Sequence, residues 1–440
     1  PGGTPPLWGQ PNVRDDPCPT PPGATGDGCV VSSRLARLTA TGSVATAEVP
    51  LISDWCQQYP SHSTGDLAFG ADGALYATAG DGASFNFVDY GQDGSPLNPC
   101  GDPPGGSGAV LTPPTAEGGA LRSQDARTAS DPTGLGGTVL RVDPDTGAGL
   151  PGNPFFGDAD PNRARIAAIG QRNPFRMTVR PGTSEVWSGD VGWFDWEEIN
   201  RIADPAGGAE NFGWPCYEGS GTGSSRQPGY DGNQLNLCET LYAPGDGNVD
   251  RPYFAYHHND TVVAGESCPT GSSSISGLAF YTSGDFPNAY NGALFFSDYS
   301  RNCLWAMMPA GDGLPDPGNV RSFNPGAASP VEVEVSPAGE LFYVDFGGTV
   351  RRIAYFDGNV PPVAVATASP DSGPAPLDVQ LDGSGSSDAD GDALSHAWDL
   401  DGDGAFDDST SVAPSRLFET AGTHTAVLRV TDPDGASDTD

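Results

Sequence analysis

The sequence predicts an all-β protein in which a large propeller-like unit is followed by a small β-sandwich. Three observations support this fold class. The 62 glycines and 43 prolines are spread among aliphatic and aromatic runs, which is typical of many short strands joined by turns. A hairpin-like phrase recurs along most of the chain, and the composition changes after Gly358, where Asp, Gly and Ser turns alternate with short β-runs.

The recurring phrase is a short apolar strand, a turn such as Ala-Asp-Gly or Pro-Gly-Thr, and a second, alternating strand. This pattern predicts a hairpin, and hairpins at wide, repeated spacing indicate propeller blades. The phrase occupies residues 67–76, 177–187, 333–343 and, in a weaker form, 278–296. Residues 85–138 are predicted to be a loop, too long for a hairpin connection and of the kind that often covers a site.

The chain is predicted to divide into residues 1–358 and 361–440. The segment Val360-Pro361-Pro362 is typical of a linker, and the alternating short strands after it predict a compact sandwich. Residues 1–47 resemble the end of a first blade, so that blade is expected to be incomplete.

Eight cysteines without a C-x-x-C pair favour disulfides over a zinc or redox motif, and hence an oxidising compartment. A secreted, soluble protein is predicted, because no stretch approaches the roughly 18 apolar residues that a membrane helix needs. No signal peptide is visible at Pro1, so the leader is expected to be absent from this sequence. The order of the cysteines favours four local pairs: Cys18–Cys29, Cys56–Cys100, Cys216–Cys238 and Cys268–Cys303.

The formal net charge of −37 disfavours nucleic acid and anionic membranes as partners, because both carry phosphate groups that such a field repels. The chain contains no lysine, which excludes a Schiff-base lysine and a P-loop lysine. The acidity suits calcium binding or a salty habitat, although a solvated surface accounts for most of these carboxylates.

Among the five histidines, His62 is the strongest candidate for a general base, since few groups titrate near neutral pH. It lies in a polar turn directly before the first hairpin, and such a turn would face the central opening of a propeller. The other four lie in the sandwich or in an aromatic strand, where packing or surface exposure is expected.

Residues 80–82, 170–176 and 189–200 place further polar groups at predicted strand ends. Because a proline follows them, Arg172 and Asn173 are expected to be extended, with side chains on opposite sides, so that one can point into a cavity. The segment 189–200 offers backbone carbonyls beside carboxylates, the oxygen ligands that Ca²⁺ prefers. A bulged loop with buried tryptophans explains this last segment equally well.

In order, these motifs resemble the PQQ-dependent soluble sugar dehydrogenase family (glucose/sorbosone dehydrogenase-like proteins) over about residues 61–353. The resemblance implies a six-bladed β-propeller whose central cleft holds pyrroloquinoline quinone (PQQ) and Ca²⁺. It is carried by His-x-x-Gly-x-Leu-x-Phe-Gly-x-Asp-Gly-x-Leu-Tyr, Gly-Asp-Gly, Arg-Asn-Pro-Phe-Arg, Gly-Asp-Val-Gly with Trp-Glu-Glu-Ile-Asn, and Asn-Phe-Gly-Trp-Pro.

By this resemblance, His62 would take the proton from a sugar hydroxyl while hydride passes to the quinone, and Asp81 would orient and polarise His62. Arg172 would lie over the quinone and stabilise negative charge on its oxygens. Asn173 would contact the same cofactor.

The resemblance also implies two calcium sites. The main-chain carbonyls of Gly192 and Trp193 would hold the ion that polarises the quinone and would thereby help to bind the cofactor. Glu198 and the carbonyl of Phe212 would match a second, structural ion.

The sequence departs from the family where basic residues anchor the cofactor's carboxylates. Ser300 occupies the position of an anchoring lysine, and residues 329–331 contain no arginine. An anionic cofactor is expected to bind more weakly here unless Arg301 or Arg122 substitutes for the missing cations.

The C-terminal segment resembles polycystic-kidney-disease (PKD) type domains, which implies a spacer or a contact with polysaccharide. Asp399, Asp401 and Asp403 begin like a calcium loop, but Thr410 stands where a bidentate Glu is expected. Two interpretations of this loop are therefore kept open, a bound calcium ion and a plain Asp/Gly turn.

Together these features predict a secreted quinoprotein that oxidises an aldose-type sugar and passes electrons to an external acceptor. One alternative is a non-catalytic propeller that binds carbohydrate or protein, which the missing cofactor anchors favour. Another is a calcium-dependent lactonase-type propeller, for which Asp81, Asp190 and Glu197 are the candidate ligands.

Overall fold

The computed structural model describes residues 24–25, 28–128, 133–219, 225–243, 249–284, 286–355, 359–389 and 391–440. The chain divides between Ile353 and Ala354 into two units. Strand is the main regular structure in both units, as the sequence predicts.

The strands of the first unit are short and hairpin-connected, apart from one long hairpin near its start. Their bounds are β1 Ala24–Thr25, β2 Gly28–Cys29, β3 Val31–Thr41, β4 Val44–Gln57, β5 Thr64–Phe69, β6 Leu75–Ala79, β7 Thr138–Val142, β8 Ile166–Ile169, β9 Pro174–Val179, β10 Val186–Asp190, β11 Trp196–Ile202, β12 Glu210–Asn211, β13 Phe254–His257, β14 Ile275–Phe280, β15 Leu294–Asp298, β16 Cys303–Pro309, β17 Pro315–Asn324, β18 Pro330–Val335, β19 Leu341–Asp345 and β20 Val350–Ile353.

Beyond the β1–β2 and β3–β4 pairs, the described strands of this unit form four successive sheets, ordered β5-β6-β7-β8-β12, β9-β10-β11-β13, β14-β15-β16-β17 and β18-β19-β20. The first strands of successive sheets lie against one another, β5 on β9, β9 on β14 and β14 on β18. This arrangement is typical of propeller blades around a common axis. The number of six blades stays a prediction.

The four predicted hairpins are confirmed as the antiparallel pairs β5–β6, β9–β10, β14–β15 and β18–β19. The second strands β6, β10 and β15 are buried along their whole length, because sheets cover them on both faces. The described part of loop 85–138 contains one 3₁₀ helix, Gly119–Arg127, whose residues pack into a cluster with Trp214 and Tyr230.

Three of the predicted disulfides are confirmed: Cys56–Cys100, Cys216–Cys238 and Cys268–Cys303. The predicted Cys18–Cys29 pair lies outside the described residues. The first bond ties the long loop to the end of β4, so it holds that loop beside the start of β5.

The second unit is a sandwich of two three-stranded sheets, ordered β21-β22-β24 and β23-β25-β26. Trp398 is fully buried between them, with Leu381, Leu428 and Val430. The strand bounds are β21 Thr367–Ser369, β22 Leu377–Asp382, β23 Ser395–Asp399, β24 Ser415–Phe418, β25 Val427–Thr431 and β26 Ser437–Thr439.

Helices are few and short: α1 Pro161–Arg165, α2 Pro228–Asp231 and α3 Asn236–Tyr242, with 3₁₀ turns at Pro60–His62 and Asn288–Tyr290. Within the described part of the chain, none of them has the length and apolar character needed to span a bilayer.

Candidate active site

The candidate site residues gather where first strands begin and second strands end. In an antiparallel pair these two positions lie at the same end of the sheet, which we call the site end. His62 precedes β5, Arg172 and Asn173 precede β9, and Asp190 ends β10. An equivalent backbone hydrogen bond crosses this end in all four sheets. The N–H groups of Gly80, Val191, Tyr299 and Phe346 donate to the carbonyls of Ser63, Asn173, Ser274 and Ser329, respectively.

His62 and Asp81 form a buried pair in which His62 Nδ1 lies 2.8 Å from Asp81 Oδ1. Asp81 also accepts the backbone N–H of Ala83 at 2.9 Å and the indole N–H of Trp214 at 2.7 Å. A carboxylate with these donors accepts from Nδ1–H, so the second imidazole nitrogen, Nε2, is the unprotonated one. His62 is thereby fixed in the tautomer that can accept a proton.

The electrostatics of the pair also favour a neutral imidazole. Burial lowers the pKa of His62 below 6.5, and the charge of Arg172 lowers it further, whereas Asp81 raises it. Burial alone would raise the pKa of Asp81, but the charges of His62 and Arg172 and its hydrogen bonds hold it below 3.8. At neutral pH the pair is therefore imidazole beside carboxylate.

Arg172 joins this pair through Trp214. Its guanidinium lies 5.5 Å from the centroid of the Trp214 ring, a cation–π contact, while the same indole donates to Asp81. The Arg172 carbonyl accepts the Asp81 N–H at 2.8 Å. The sequence motif Asn-Phe-Gly-Trp-Pro marks this tryptophan, but its role in connecting Arg172 to Asp81 was not predicted.

Asp190 positions the backbone of Arg172 and Asn173. Its carboxylate accepts the N–H of Arg172 at 2.9 Å and the N–H of Asn173 at 2.6 Å. The Arg172 guanidinium in turn donates to the carbonyls of Val191 and Gly192 at 3.0 and 2.7 Å. The carbonyl of Gly192, predicted as a calcium ligand, is therefore bonded to a cationic side chain.

Glu198 lies directly opposite Asp190 in the β10–β11 pairing. Its carboxyl group accepts the N–H of Gly219 at 2.6 Å and the side-chain amide of Asn200 at 3.2 Å. Burial, followed by the charge of Asp190, raises the pKa of Glu198 well above 4.5. Phe212 is also buried, and its N–H donates to Ile169.

Glu218 has a role that the sequence did not indicate. One of its carboxylate oxygens accepts four successive backbone N–H groups, those of residues 193–196, at 2.8–3.2 Å. The other oxygen accepts from Gln227 at 3.0 Å. Glu218 thus holds the turn that contains Trp193, whose ring contacts Trp214 and Tyr230.

The structure places Arg301 in a buried structural network. Its guanidinium nitrogens donate to Ser273 Oγ and to the carbonyls of Asp260, His257 and His258 at 2.7–3.0 Å. It is fully buried. Its predicted contact with a cofactor stays a prediction, and this geometry favours a structural role.

The other two positions considered as anchors are also occupied by protein contacts. Arg122 forms a bidentate pair with Asp102 at 2.8 and 2.6 Å and donates to Gln58 and to the carbonyl of Gly82. Ser300 donates to Ser274 at 3.1 Å. The Arg122 guanidinium is therefore directed at protein oxygens, and Ser300 carries no positive charge, so neither residue directs a cation at an anionic ligand.

In the second unit, carboxylate oxygens of Asp399, Asp401 and Asp403 lie within 4.8 Å of one another. This is the sole such trio of Asp, Glu, His or Cys side chains among the described residues. Asp81, Asp190 and Glu197, the trio required by a lactonase-type site, are not brought together in this way.

Sequence comparison matches two parts of the chain to known families. Residues 118–237 match the glucose/sorbosone dehydrogenase family, and residues 359–440 match the PKD domain. The first match lies within the first unit and the second match within the second unit. We refer to residues 1–353 as the dehydrogenase unit and to the second unit as the PKD domain.

Known proteins resemble this chain at low identity. The HIPL2 protein of Arabidopsis thaliana is 26% identical over 357 residues, 74% of this chain and 42% of that protein. The aldose sugar dehydrogenase YliI of Escherichia coli (strain K12) is 26% identical over 193 residues, 44% of this chain and 44% of that protein. The chain therefore spans about two fifths of the length of the curated relatives it matches.

Solved structures of similar proteins include the soluble aldose sugar dehydrogenase from Escherichia coli in its apo-form, with 22% identity, 71% of this chain and 70% of that chain covered, and a TM-score of 0.42. A glucose dehydrogenase structure has 19% identity, covers 73% of both chains and has a TM-score of 0.48.

Proposed function

We propose that the dehydrogenase unit is a secreted sugar oxidoreductase in which His62 is the general base. The observation that carries the proposal is the buried His62–Asp81 pair, held by Trp214 beside Arg172. Oxidation of a sugar hydroxyl removes a proton from oxygen and a hydride from the carbon that bears it. His62 Nε2 takes the proton, and the hydride passes to a two-electron acceptor.

The surroundings of His62 suit this proton transfer. A neutral imidazole with a lowered pKa is ready to accept at neutral pH, and Asp81 stabilises the imidazolium that forms. The guanidinium of Arg172 supplies a fixed positive charge close to the base, where negative charge develops on the reacting oxygen. Both groups are preorganised by bonds to the protein.

PQQ was predicted as the acceptor, and the residues fit it only in part. Arg172 and Asn173, which the resemblance assigns to the cofactor, lie just before β9, at the same end of the sheets as the base. A quinone with several carboxylates also needs cations at its far end, and the contacts of Arg122 and Arg301 leave those positions without one. We therefore derive no step through PQQ, which stays a prediction.

For calcium, the Glu198 site fits better than the Gly192 site. Asn200 Oδ1, fully buried next to Glu198, has no hydrogen-bond partner among the described residues, and an orphaned oxygen beside a carboxylate suits a hard cation. At Gly192 the nearest donor is the Arg172 guanidinium, which would repel an ion. Glu198, with the predicted carbonyl of Phe212, would hold a structural ion, whereas the Gly192 and Trp193 ligands stay predictions.

A second candidate function is a non-catalytic propeller that binds carbohydrate, with the PKD domain contacting polysaccharide. This candidate is favoured because Arg122, Arg172 and Arg301 already donate hydrogen bonds to protein oxygens. The confirmed disulfides support secretion for either function.

The test is dye reduction by the whole chain, incubated with Ca²⁺ and PQQ, over a panel of aldoses. We expect turnover with at least one aldose and a loss of about 10²–10⁴-fold in kcat in His62→Ala. His258→Ala is the matched control, because His258 is also buried and bonded to a carboxyl group, Glu197, at 2.8 Å. Equal losses in both variants, or saturable sugar binding with no turnover in the unsubstituted chain, would contradict the oxidoreductase.

A further inference from the structure

Arg122 is a buried residue that the proposed proton transfer does not use. It lies in the 3₁₀ helix Gly119–Arg127 of loop 85–138 and is 3% exposed. Its guanidinium donates to the carboxylate of Asp102, to the side-chain oxygen of Gln58 and to the carbonyl of Gly82, at 2.6–3.3 Å. One side chain therefore joins three segments that are distant in sequence from the helix that carries it.

Two of these segments carry the candidate catalytic pair. Gln58 lies four residues before His62, and Gly82 directly follows Asp81. The Gly82 carbonyl accepts the guanidinium at 3.2 Å and also accepts, at 3.0 Å, the backbone N–H of the residue that follows Gln58. The guanidinium therefore bridges the turn that ends at His62 and the turn that begins at Asp81, at a point where the two turns are in direct contact.

The third segment is fixed at the same place by a disulfide. Asp102 follows Cys100 by two residues, and Cys100 is bonded to Cys56, which precedes Gln58 by two residues. The carboxylate of Asp102 is buried and accepts two N–H groups of the guanidinium. The disulfide and the arginine thus connect the same two segments twice, once by a covalent bond and once by an ion pair, next to the turn of His62.

Permanent charge and several donors in one plane suit Arg122 to this role. Burial alone would lower the pKa of Arg122, but Asp102, Asp89 and Asp125 raise it above its usual value of 12.5. The guanidinium therefore stays charged although it is buried. Its planar group directs N–H donors at a carboxylate and at two further acceptors at once, which the ammonium of a lysine does not reproduce.

We propose that Arg122 is a positioning residue for the candidate base, and that it fixes the turn of His62 against the turn of Asp81. The Nδ1–H of His62 reaches Asp81 only while these turns keep their spacing, because a hydrogen bond of 2.8 Å joins the pair. A misplacement of about 1 Å lowers the rate by about 10²-fold in a site that depends on orientation. The inference rests on the proposed function, because it concerns the base of the same reaction.

The experiment compares Arg122→Ala with the unsubstituted whole chain in two measurements. The first is NMR of the imidazole N–H groups, in which His62→Ala assigns the His62 signal. We expect the Nδ1–H of His62 to exchange with water at least about tenfold faster in Arg122→Ala, because its hydrogen bond opens more often. The second is aldose-dependent dye reduction, in which kcat should fall about 10–100-fold with KM unchanged, because the bridge contains no group that contacts the sugar.

Arg141→Ala is the matched control. Arg141 is also buried, at 8% exposed, and is paired with Asp72 at 2.8 Å. Asp72 lies in the turn between β5 and β6, at the end of the first sheet opposite to the site end. Loss of Arg141 should lower the unfolding temperature but leave kcat and the exchange of the His62 N–H unchanged.

Two results would overturn the inference: unchanged exchange of the His62 N–H in Arg122→Ala, or equal effects of the two arginine variants. If Arg122→Ala does not fold, Gln58→Ala replaces it in both measurements, because this change removes one contact of the bridge and keeps the pair of Arg122 with Asp102.

The outcome is separable from that of the proposed function, because the exchange measurement needs no turnover. If the His62 N–H exchanges faster in Arg122→Ala while no aldose is oxidised by the unsubstituted chain, the positioning role stands and the oxidoreductase fails. If aldoses are oxidised while Arg122→Ala leaves both kcat and the exchange rate unchanged, the reverse holds.

Discussion

Both units collect carboxyl groups, but they place them in opposite environments. At the site end of the dehydrogenase unit the carboxyl groups are buried against backbone N–H groups and a few arginines. In the PKD domain, two of the three loop aspartates are exposed, and only Asp399 is buried. Burial raises the pKa of Asp89 to about 6 and that of Asp190 to about 7.

In the PKD domain, the pKa values of two aspartates are lowered instead of raised. Hydrogen bonds that the backbone N–H and the hydroxyl of Ser384 donate lower the pKa of Asp382, and a hydrogen bond from Asn359 lowers the pKa of Asp432. The number of acidic residues in the sequence therefore does not indicate which carboxyl groups have an unusual pKa. Carboxyl groups acquire unusual proton affinity where the fold removes water and supplies one specific partner, as it does for Asp81 and His62.

The largest expected effect follows from removing the carboxylate that orients the base. Asp81→Asn should lower kcat by about 10²–10⁴-fold, because the amide no longer fixes the Nδ1–H tautomer of His62. Removing a charge that raises the pKa of His62 should also move the acidic limb of the kcat/KM profile to lower pH. The profile of the unsubstituted chain should fall only below pH 6.5. An Asp81→Asn enzyme with an unchanged rate and profile would show that this buried pair is merely structural.

A second prediction concerns stability and sharpens the contrast between the units. Raised carboxyl pKa values mean that the folded dehydrogenase unit holds more protons than the unfolded chain, so Asp89 and Asp190 contribute stability below about pH 4 that is lost as pH rises to about 7. Asp382 and Asp432 have lowered pKa values, so their contribution is present above about pH 4 and is lost as pH falls.

Scanning calorimetry of the whole chain between pH 3 and 8 checks this. The unfolding temperature of the dehydrogenase unit should fall between pH 4 and 7, whereas that of the PKD domain should fall on the acid side. Asp432→Asn identifies the second transition, because it should reduce the acid-side slope of that transition alone. Parallel pH profiles for the two transitions would remove the contrast.

The smallest expected effect is at the acidic loop of the PKD domain, if Asp399, Asp401 and Asp403 bind Ca²⁺ as predicted. Sites of this exposed kind bind with dissociation constants of about 10⁻⁴–10⁻³ M. Ca²⁺ at about 1 mM should therefore stabilise the domain by about 0.4–1.4 kcal/mol, and Asp403→Asn should abolish the gain. Asp378→Asn, at an exposed strand position, is the control. A gain that survives Asp403→Asn would place the ion elsewhere.

Much of the framework was predictable because it depends on local patterns. Tight Gly-containing turns between alternating strands identified the four hairpins, and the order of the cysteines along the chain identified three disulfides. One local signal was missed: an Asp follows or ends the second strand of each hairpin, at Asp81, Asp190, Asp298 and Asp345. This repeat marks the site end of all four sheets and was available in the sequence.

The long-range contacts of the candidate site could not be predicted from local patterns. Nothing in the spacing of Glu218 and residues 193–196 indicates that one carboxylate holds four N–H groups, because the two segments meet only after the sheets pack. The same is true of Trp214, which reaches Asp81 across 133 residues of sequence. Arg301 was expected at a cofactor, yet the carbonyls of a neighbouring loop surround it.

By itself, the sequence determined the strand pattern, the hairpin turns and the residue types available at strand ends, because turn geometry and side-chain alternation act over a few residues. Only the tertiary structure decided which of those residues lose contact with water and which charge each one faces. Proton affinity and ligand preference depend on burial and on partners distant in sequence, and both are set when the sheets come together.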